Sequence, residues 1–343
     1  MAKRIVECVP NFSEGSDKRI IQAISDAGRG ISGARVLGIE PDADYNRTVL
    51  TIAGEPEAVS EAAFRVIKAA FENIDMRTHQ GEHPRIGAVD VCPFVPLEGV
   101  TMTDCANLSR ELAIRVSDEL GLCTFLYGAA ATNPERELLS DLRRGQYESL
   151  EGRLSDGGPH LPDFGPLDWN ENTARFGAVV IGARQILVAY NVNVDETDAS
   201  ASKIAGSLVR STGRLLKKDD GRKTRIPGML PMVQGMGLPL EAHGISQVSM
   251  NLRDVSITPM HIAFEAVRSI VKDHGVDTCG SELVGLVPLS AMIESGKWYA
   301  NEGCTDEAEL VAAAINGLGL DYLGPFSAKE RIIEWALRTE ESE

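Results

Sequence analysis

Two histidines, a carboxylate and an arginine fall within seven residues, His79-Gln80-Gly81-Glu82-His83-Pro84-Arg85, in a chain with only six histidines. Histidine is the side chain whose ordinary pKa lies nearest neutrality, so it can take and return protons in a catalytic cycle. A neighbouring carboxylate, Glu82 or another brought in by the fold, can orient an imidazole and stabilise its charged form. The segment also fits the spacing H-x-x-E-H, which on a helix puts two imidazoles on one face around a zinc ion. Gly81 inside the pattern and Pro84 directly after it oppose a helix, and Pro84 biases His83 away from α conformation. The reading is metal-free acid–base chemistry, with no metal expected.

Other clusters say less by themselves. Glu40-Pro41-Asp42-Ala43-Asp44-Tyr45-Asn46-Arg47-Thr48 brings three carboxylates, an amide and an arginine into one loop between strands. It reads equally as a hydrophilic turn and as a polar-substrate site whose carboxylates favour a cationic centre. Residues 214–225 set six basic residues against two acidic ones. Most such runs are solvated surface, but a local basic patch is also what an oligo-anionic tail requires. Val9-Pro10-Asn11-Phe12-Ser13-Glu14-Gly15 is a polar turn that carries Asn11 out of the first strand. No glycine-rich dinucleotide loop, Walker sequence or G-x-S-x-G elbow is present.

The elements that must hold these residues are short β-rich runs alternating with amphipathic helical stretches, a mixed α/β or α+β pattern. Strands are expected at 6–9, 35–39, 48–53 and 86–95, with a helix over 17–27. Pro56 opens another helix, in which Val59, Ala62, Ala63, Val66, Ile67, Ala70 and Phe71 recur on one face. Residues 86–127 and 247–287 each read as strand, helix and strand, with Thr at the helix start and Gly at its stop. That similarity suggests two related lobes, and the length of 343 residues suits about two domains of ~150 residues each. Residues 152–177, rich in glycine and proline and without periodicity, lie between the lobes. Phe164, Trp169 and Phe176 favour a docked loop that offers aromatic and backbone contacts to a flat ligand over a plain linker.

Net charge is −16 and the pI is about 4.9, which argues against nucleic acid or an anionic membrane as partner. The N-terminus has no apolar segment of signal-peptide length, and the cysteines are scattered without C-x-x-C pairing. Both features point to a reduced, cytoplasmic protein.

Ten stretches in this order resemble the glutamate formiminotransferase (glutamate formimidoyltransferase) family. Among them are VECVPNFSEG at 6–15, NRTV at 46–49, GEHPRIGAVDVCPFVP at 81–96, PDFGP at 162–166, GARQILVAYNVN at 182–193, QVSMNL at 247–252 and SELVGLVPL at 281–289. The resemblance implies an α+β protein of two duplicated ferredoxin-like subdomains with mixed sheets, residues 1–186 and 187–343, with folate held in a cleft between them in a homodimer. It implies transfer of a formimino group from N-formimino-L-glutamate to N5 of tetrahydrofolate, in histidine degradation. The family's catalytic histidine falls on His83, and its folate-contacting stretch begins at Gly165-Pro166 and ends at Phe176-Gly177. Two departures accompany it: the 165–177 loop is a few residues longer than in the animal enzymes, and an aspartate of those enzymes aligns with Glu40, which Asp42 could replace. The animal enzymes carry a fused cyclodeaminase, so here the product is expected to pass to a separate one.

One group near neutral pKa, His83, can take the N5 proton and return a proton to the leaving glutamate nitrogen. Glu40, Asp42 or Glu82 would favour a protonated formimino group by charge, and Asn11 and Asn46 complete the polar set. Arg47, Arg85 and the 214–225 patch are expected to meet the carboxylates of glutamate and of a polyglutamylated folate tail. The competing readings are formyl transfer between 5-formyltetrahydrofolate and glutamate, and a folate-binding paralogue without turnover. A metal hydrolase is a distant third.

Overall fold

A computed structural model describes residues 3–81, 83–157, 161–217 and 221–338. The chain divides into two compact units, residues 1–185 and 186–343. Glu82, expected at the site, and Lys218 of the basic patch lie outside the described residues.

The first unit runs β1 (Ile5–Cys8), β2 (Asn11–Phe12), α1 (Lys18–Ala27), β3 (Ala34–Asp42), β4 (Arg47–Gly54), α2 (Pro56–Asn73) and β5 (Val89–Glu98). It continues with α3 (Met102–Leu120), β6 (Cys123–Gly128), α4 (Leu139–Leu142), α5 (Leu150–Asp156), α6 (Glu171–Phe176) and β7 (Ala178–Ala183). Its sheet has the order β3-β4-(β1,β2)-β5-β7-β6, because β1 and β2 both lie between β4 and β5. The strands are antiparallel up to β5, while β5, β7 and β6 run parallel.

Local sequence explains the helices that cover one face. In α2, Pro56 occupies the first turn, where its missing N–H costs nothing, and Val59, Ala62, Ala63, Val66, Ile67 and Ala70 are buried on one side. In α3, Thr101 and Asp104 form a reciprocal capping box, and Gly121 closes the helix in the left-handed conformation. The face they cover carries Val6, Cys8, Phe12, Leu50, Ile52, Cys92 and Phe94. The opposite face is treated differently along its width. Under β5, β7 and β6 a second cluster, including Ile86, Val91, Phe125 and Val180, packs on Leu142, Leu150 and Leu154 of α4 and α5. That double burial accounts for the uninterrupted apolar run of β7. Under β2, β3 and β4 the same face carries Asn11, Glu40, Asp42 and Arg47 around Val49.

The second unit runs β8 (Val188–Val194), α7 (Ser200–Val209), β9 (Arg214–Lys217), β10 (Lys223–Ile226), β11 (Val233–Leu240), β12 (Ile245–Leu252), α8 (Met260–Asp273) and β13 (Thr278–Val284). The helices α9 (Leu289–Tyr299), α10 (Glu307–Leu318), α11 (Ala328–Arg331) and α12 (Ile333–Arg338) follow. Its main sheet, β11-β12-β8-β13, is antiparallel throughout, so of the two sheets expected to be mixed only the first is. β9 and β10 form a separate exposed ribbon.

The repeat is real but differently placed from the sequence expectation. β1–α1–β3–β4–α2–β5 and β8–α7–β11–β12–α8–β13 are both β-α-β-β-α-β units of the ferredoxin-like kind, with the same spatial order. β12–α8–β13 therefore matches β4–α2–β5, not β5–α3–β6. The strands β12 and β13 flank an antiparallel β8, whereas β5 and β6 flank β7, which runs parallel to both. The 152–177 stretch is likewise no connection between lobes. It contains most of α5 and all of α6, and it leads into β7 inside the first sheet.

Candidate active site

Three segments meet at the polar end of the first sheet. Asn46 ties them together from the left-handed conformation (φ 47°): its Oδ1 accepts from Gly15 N at 2.9 Å, and its Nδ2 donates to the Gln80 carbonyl at 2.7 Å. The approach leaves no room for a Cβ on Gly15, which would lie 2.0 Å from the Asp42 carbonyl oxygen. The next residues, Arg47 on β4 and Asn11 on β2, lie on the sheet face turned away from α1 and α2. Cross-strand register puts Glu40, Val49, Asn11 and Val91 in one row on that face, with Asp42 opposite Arg47 in the next.

His83 sits against this face. Its Nδ1 lies 2.8 Å from the Pro84 carbonyl oxygen, which can only accept, and 2.9 Å from Arg47 Nη1, which can only donate; the closer approach of Nη1 to Nε2 assigns the proton to Nδ1 and the lone pair to Nε2. Arg47 contacts that nitrogen through Nη1, and its Nε donates to Asn11 Oδ1 at 3.0 Å, with Nη2 on the same oxygen. Tyr45 meets the His83 ring edge-on at 5.9 Å between centroids. Burial, then the Arg47 charge, hold the His83 pKa below the ordinary imidazole value. Burial likewise pulls the Arg47 guanidinium down to about 10, which leaves it cationic at neutral pH. A neutral, oriented imidazole with one basic nitrogen beside a fixed cation can act as a general base.

His79 is committed elsewhere. Its Nε2 donates to the Asn46 carbonyl at 3.1 Å and its Nδ1 accepts from Arg85 Nε at 3.3 Å, so both ring nitrogens are occupied. Arg85 in turn makes a two-pronged pair with Glu148, at 2.7 and 2.9 Å, and donates to Gln146 Oε1 at 3.2 Å. Side-chain exposure of 9% and a satisfied charge take Arg85 out of the set free to meet a substrate carboxylate, contrary to expectation. Asp42 is also occupied, its Oδ1 accepting from Asp44 N and Tyr45 N at 3.0 and 2.9 Å as the brace of the turn. Glu40 is exposed on the same face as Asn11.

The folate-stretch residues divide. Phe176 is fully buried, edge-on to Phe71 at 6.0 Å, so its ring cannot stack on a ligand as expected. What it offers is backbone: its carbonyl accepts from Ala88 N at 2.7 Å. Gly177 has φ +79° and packs where a Cβ would lie 2.3 Å from the Ile86 carbonyl oxygen. These contacts fix the strand end just after His83. Gly165 (φ +103°) and Pro166 lie along β6, the Pro166 carbonyl accepting from Cys123 Sγ at 3.1 Å. Phe164 and Trp169 are packed too, Trp169 against Tyr147 at 5.8 Å, which accounts for the aromatics in that loop.

Sequence reasoning missed Asp90 and Arg143. Asp90 is 1% exposed, accepts from Ile86 N at 3.1 Å and from Arg143 Nε at 3.2 Å, and its charge is felt by both Arg47 and His83. A carboxylate inside the apolar strand 89–95 was a readable signal, while Arg143 and Glu148 had none. Among the described residues the charges felt by His83 are those of Arg47 and Arg143, which oppose its protonation, and of Asp90, which favours it. Among the described residues no group of three or more His, Cys, Asp or Glu is placed to hold a metal ion.

The sequence matches the family described as "Formiminotransferase domain, N-terminal subdomain" over residues 5–184 and "Formiminotransferase domain" over 189–338. It is 37% identical over 299 residues to the glutamate formimidoyltransferase of Streptococcus pyogenes serotype M1, covering 87% of this chain and 94% of that protein. The glutamate formimidoyltransferase of Thermoplasma acidophilum is 39% identical over 309 residues, or 90% and 96% of the two chains. The rat formimidoyltransferase-cyclodeaminase is 40% identical over 335 residues, 97% of this chain but 60% of the relative. The chain thus spans 60% of the length of that two-activity relative.

Proposed function

The chain belongs to the formiminotransferase family, and from that premise we propose that it transfers the formimino group of N-formimino-L-glutamate to N5 of tetrahydrofolate, releasing L-glutamate. The observation that carries the reading is the His83 imidazole, proton fixed on Nδ1 by the Pro84 carbonyl and Nε2 beside Arg47.

In this reading Arg47 turns from His83 Nε2 to the substrate carboxylate, N5 attacks the formimino carbon, and the freed Nε2 takes the N5 proton, giving a tetrahedral intermediate. The imidazolium then returns that proton to the glutamate nitrogen as the carbon–nitrogen bond breaks. With its pKa lowered by burial and by Arg47, the imidazolium gives its proton back readily, so one group can act first as base and then as acid. The Arg47 guanidinium draws a substrate carboxylate toward the site. Asn11 holds the Arg47 guanidinium in place, and Glu40 faces the same space from β3. No step calls for a metal. We carry the same reading to a cytoplasmic homodimer of histidine degradation, on the family likeness alone. A separate cyclodeaminase would take the product.

The test is to supply the purified protein with tetrahydrofolate and N-formimino-L-glutamate, and separately with 5-formyltetrahydrofolate and L-glutamate. Rapid formation of 5-formiminotetrahydrofolate with slow formyl transfer is expected. Faster formyl transfer would reassign the donor, and folate binding without either reaction would make the protein a binder.

A further inference from the structure

The donor of the proposed reaction carries two carboxylates. Arg47 is placed for one of them, and Arg85, closed by Glu148, is not free for the other. A second guanidinium reaches the neighbourhood of His83, that of Arg143 at the end of α4. Two local irregularities put it there. Across β2 and β5, Phe12 pairs with Val89 and Asn11 with Val91, so Asp90 is the extra residue of a β-bulge. The bulge brings the Asp90 carboxylate to Arg143, whose Nε donates to Oδ1 at 3.2 Å and whose Nη2 meets Oδ2. The turn after α4 is the other. Gly145 has φ 78°, and Gln146 has φ 57° with ψ −161°, a backbone conformation nearly confined to glycine. Gln146 N donates to the Arg143 carbonyl at 2.8 Å, which ties the strained residue to the arginine. Strain of this kind persists where the surroundings over-determine it, and it gathers at ligand sites.

Arg143 is spent on Asp90 along one edge only. Its Nη1 has no hydrogen-bond partner among the described residues, and the side chain is 16% exposed. The Asp90 carboxylate stands against two cations, because its charge supports that of Arg47 as well. The Arg143 charge in turn opposes both the charge of Arg47 and the protonation of His83. Two half-buried guanidiniums that repel each other and share the charge of one carboxylate are completed by an incoming anion.

We propose that Arg143 is a specificity-determining residue for the donor, binding the γ-carboxylate of N-formimino-L-glutamate through Nη1. The α-carboxylate is bonded to the carbon that bears the reacting nitrogen. It therefore falls to Arg47, which touches His83 Nε2. The γ-carboxylate, two methylenes farther on, falls to the guanidinium that does not touch the imidazole. Asp90 is a positioning residue that aims Arg143. Every residue of this arrangement belongs to the first unit. A donor without the γ charge leaves Nη1 unpaired, so the site selects a dicarboxylate. The inference rests on the proposed function.

The test compares N-formimino-L-glutamate with N-formimino-L-glutamine, whose γ-amide is neutral, as donors to tetrahydrofolate. Both are given to the wild type, Arg143→Met and Arg143→Lys. The wild type is expected to favour the glutamate donor about 10- to 100-fold in kcat/KM, the range of a hydrogen bond to a charged group. Arg143→Met is expected to lose most of that preference by raising KM for the glutamate donor, with the glutamine donor little changed. Arg143→Lys, which keeps the charge without the fork, is expected to recover part of it. Equal wild-type kcat/KM for the two donors would overturn the proposal without any variant having to fold. Slowing of both donors by the same factor in Arg143→Met would also overturn it, since that is what a merely structural role predicts. Transfer from neither donor by the wild type would instead remove the proposed function, and this inference with it.

Discussion

At the scale of single residues, the state of His83 is set by what surrounds it. The Pro84 carbonyl fixes the tautomer, and burial with Arg47 makes the neutral form the stable one. On the proposed mechanism the neutral imidazole is the base, and with its pKa depressed kcat/KM should rise with pH along a limb below the ordinary imidazole value of ~6.5. In Arg47→Met the second-largest cause is gone while burial and the Arg143 charge remain, so the limb should move up part of the way. A pH–rate profile of both proteins checks this; a wild-type limb at or above 6.5, or no shift in the variant, would contradict it. The two histidines four apart were visible in sequence, but which one stands beside Arg47 on the polar face was not. His79 is spent on Asn46 and Arg85, and His83 was placed by resemblance, not by spacing. Asp90–Arg143 and Arg85–Glu148 join residues 53 and 63 positions apart, so no local pattern announces them.

Among the elements, the hydrophobic periodicity of α1 and α2 and the strand runs were legible because each needs only its own neighbours to be recognised. The partner of each strand was not. A β-α-β pattern reads the same whether the strand between its two β pieces runs parallel, as β7 does between β5 and β6, or antiparallel, as β8 does between β12 and β13. The aromatic 152–177 loop shows the same ambiguity in one side chain, since Phe176 reads as a ligand platform and is core. Phe176→Ala should therefore cost about 3–5 kcal/mol of stability, as for other buried aromatics, measured by urea unfolding. A loss below about 1 kcal/mol, with weakened folate binding, would return the ring to a ligand site. Gly177 belongs to the same seam: with φ +79° and the Ile86 carbonyl against it, Gly177→Ala should strain the strand end behind His83 and lower kcat together with stability. A stable variant of normal kcat would show that this seam does not position the histidine.

Over the whole molecule, charge and protonation are unevenly distributed. The net charge of −16 was plain in sequence, as was the basic run that the structure shows as the exposed β9–β10 ribbon, where Lys217 stands opposite Lys223. Like charges facing each other across a ribbon repel, and an anion between them relieves the repulsion. Lys217→Ala with Lys223→Ala is expected to weaken a polyglutamylated folate more than a monoglutamate, by a margin that added salt erodes; equal effects on the two ligands would take the ribbon out of folate binding. His79, His83 and His261 are each held below the ordinary imidazole pKa, chiefly by burial. The unfolded chain thus binds protons first, so their contribution to stability is present above pH ~6.5 and is lost as pH falls below it. Urea midpoints that fall between pH 7.5 and 5.5 would agree, and rising midpoints would not. The central claim is that His83 moves the proton in formimino transfer, and single-turnover formation of 5-formiminotetrahydrofolate tests it most directly. His83→Ala is expected to be slower than the wild type by roughly 10²–10⁴-fold with tetrahydrofolate still bound; a near-normal rate in that variant would contradict the account.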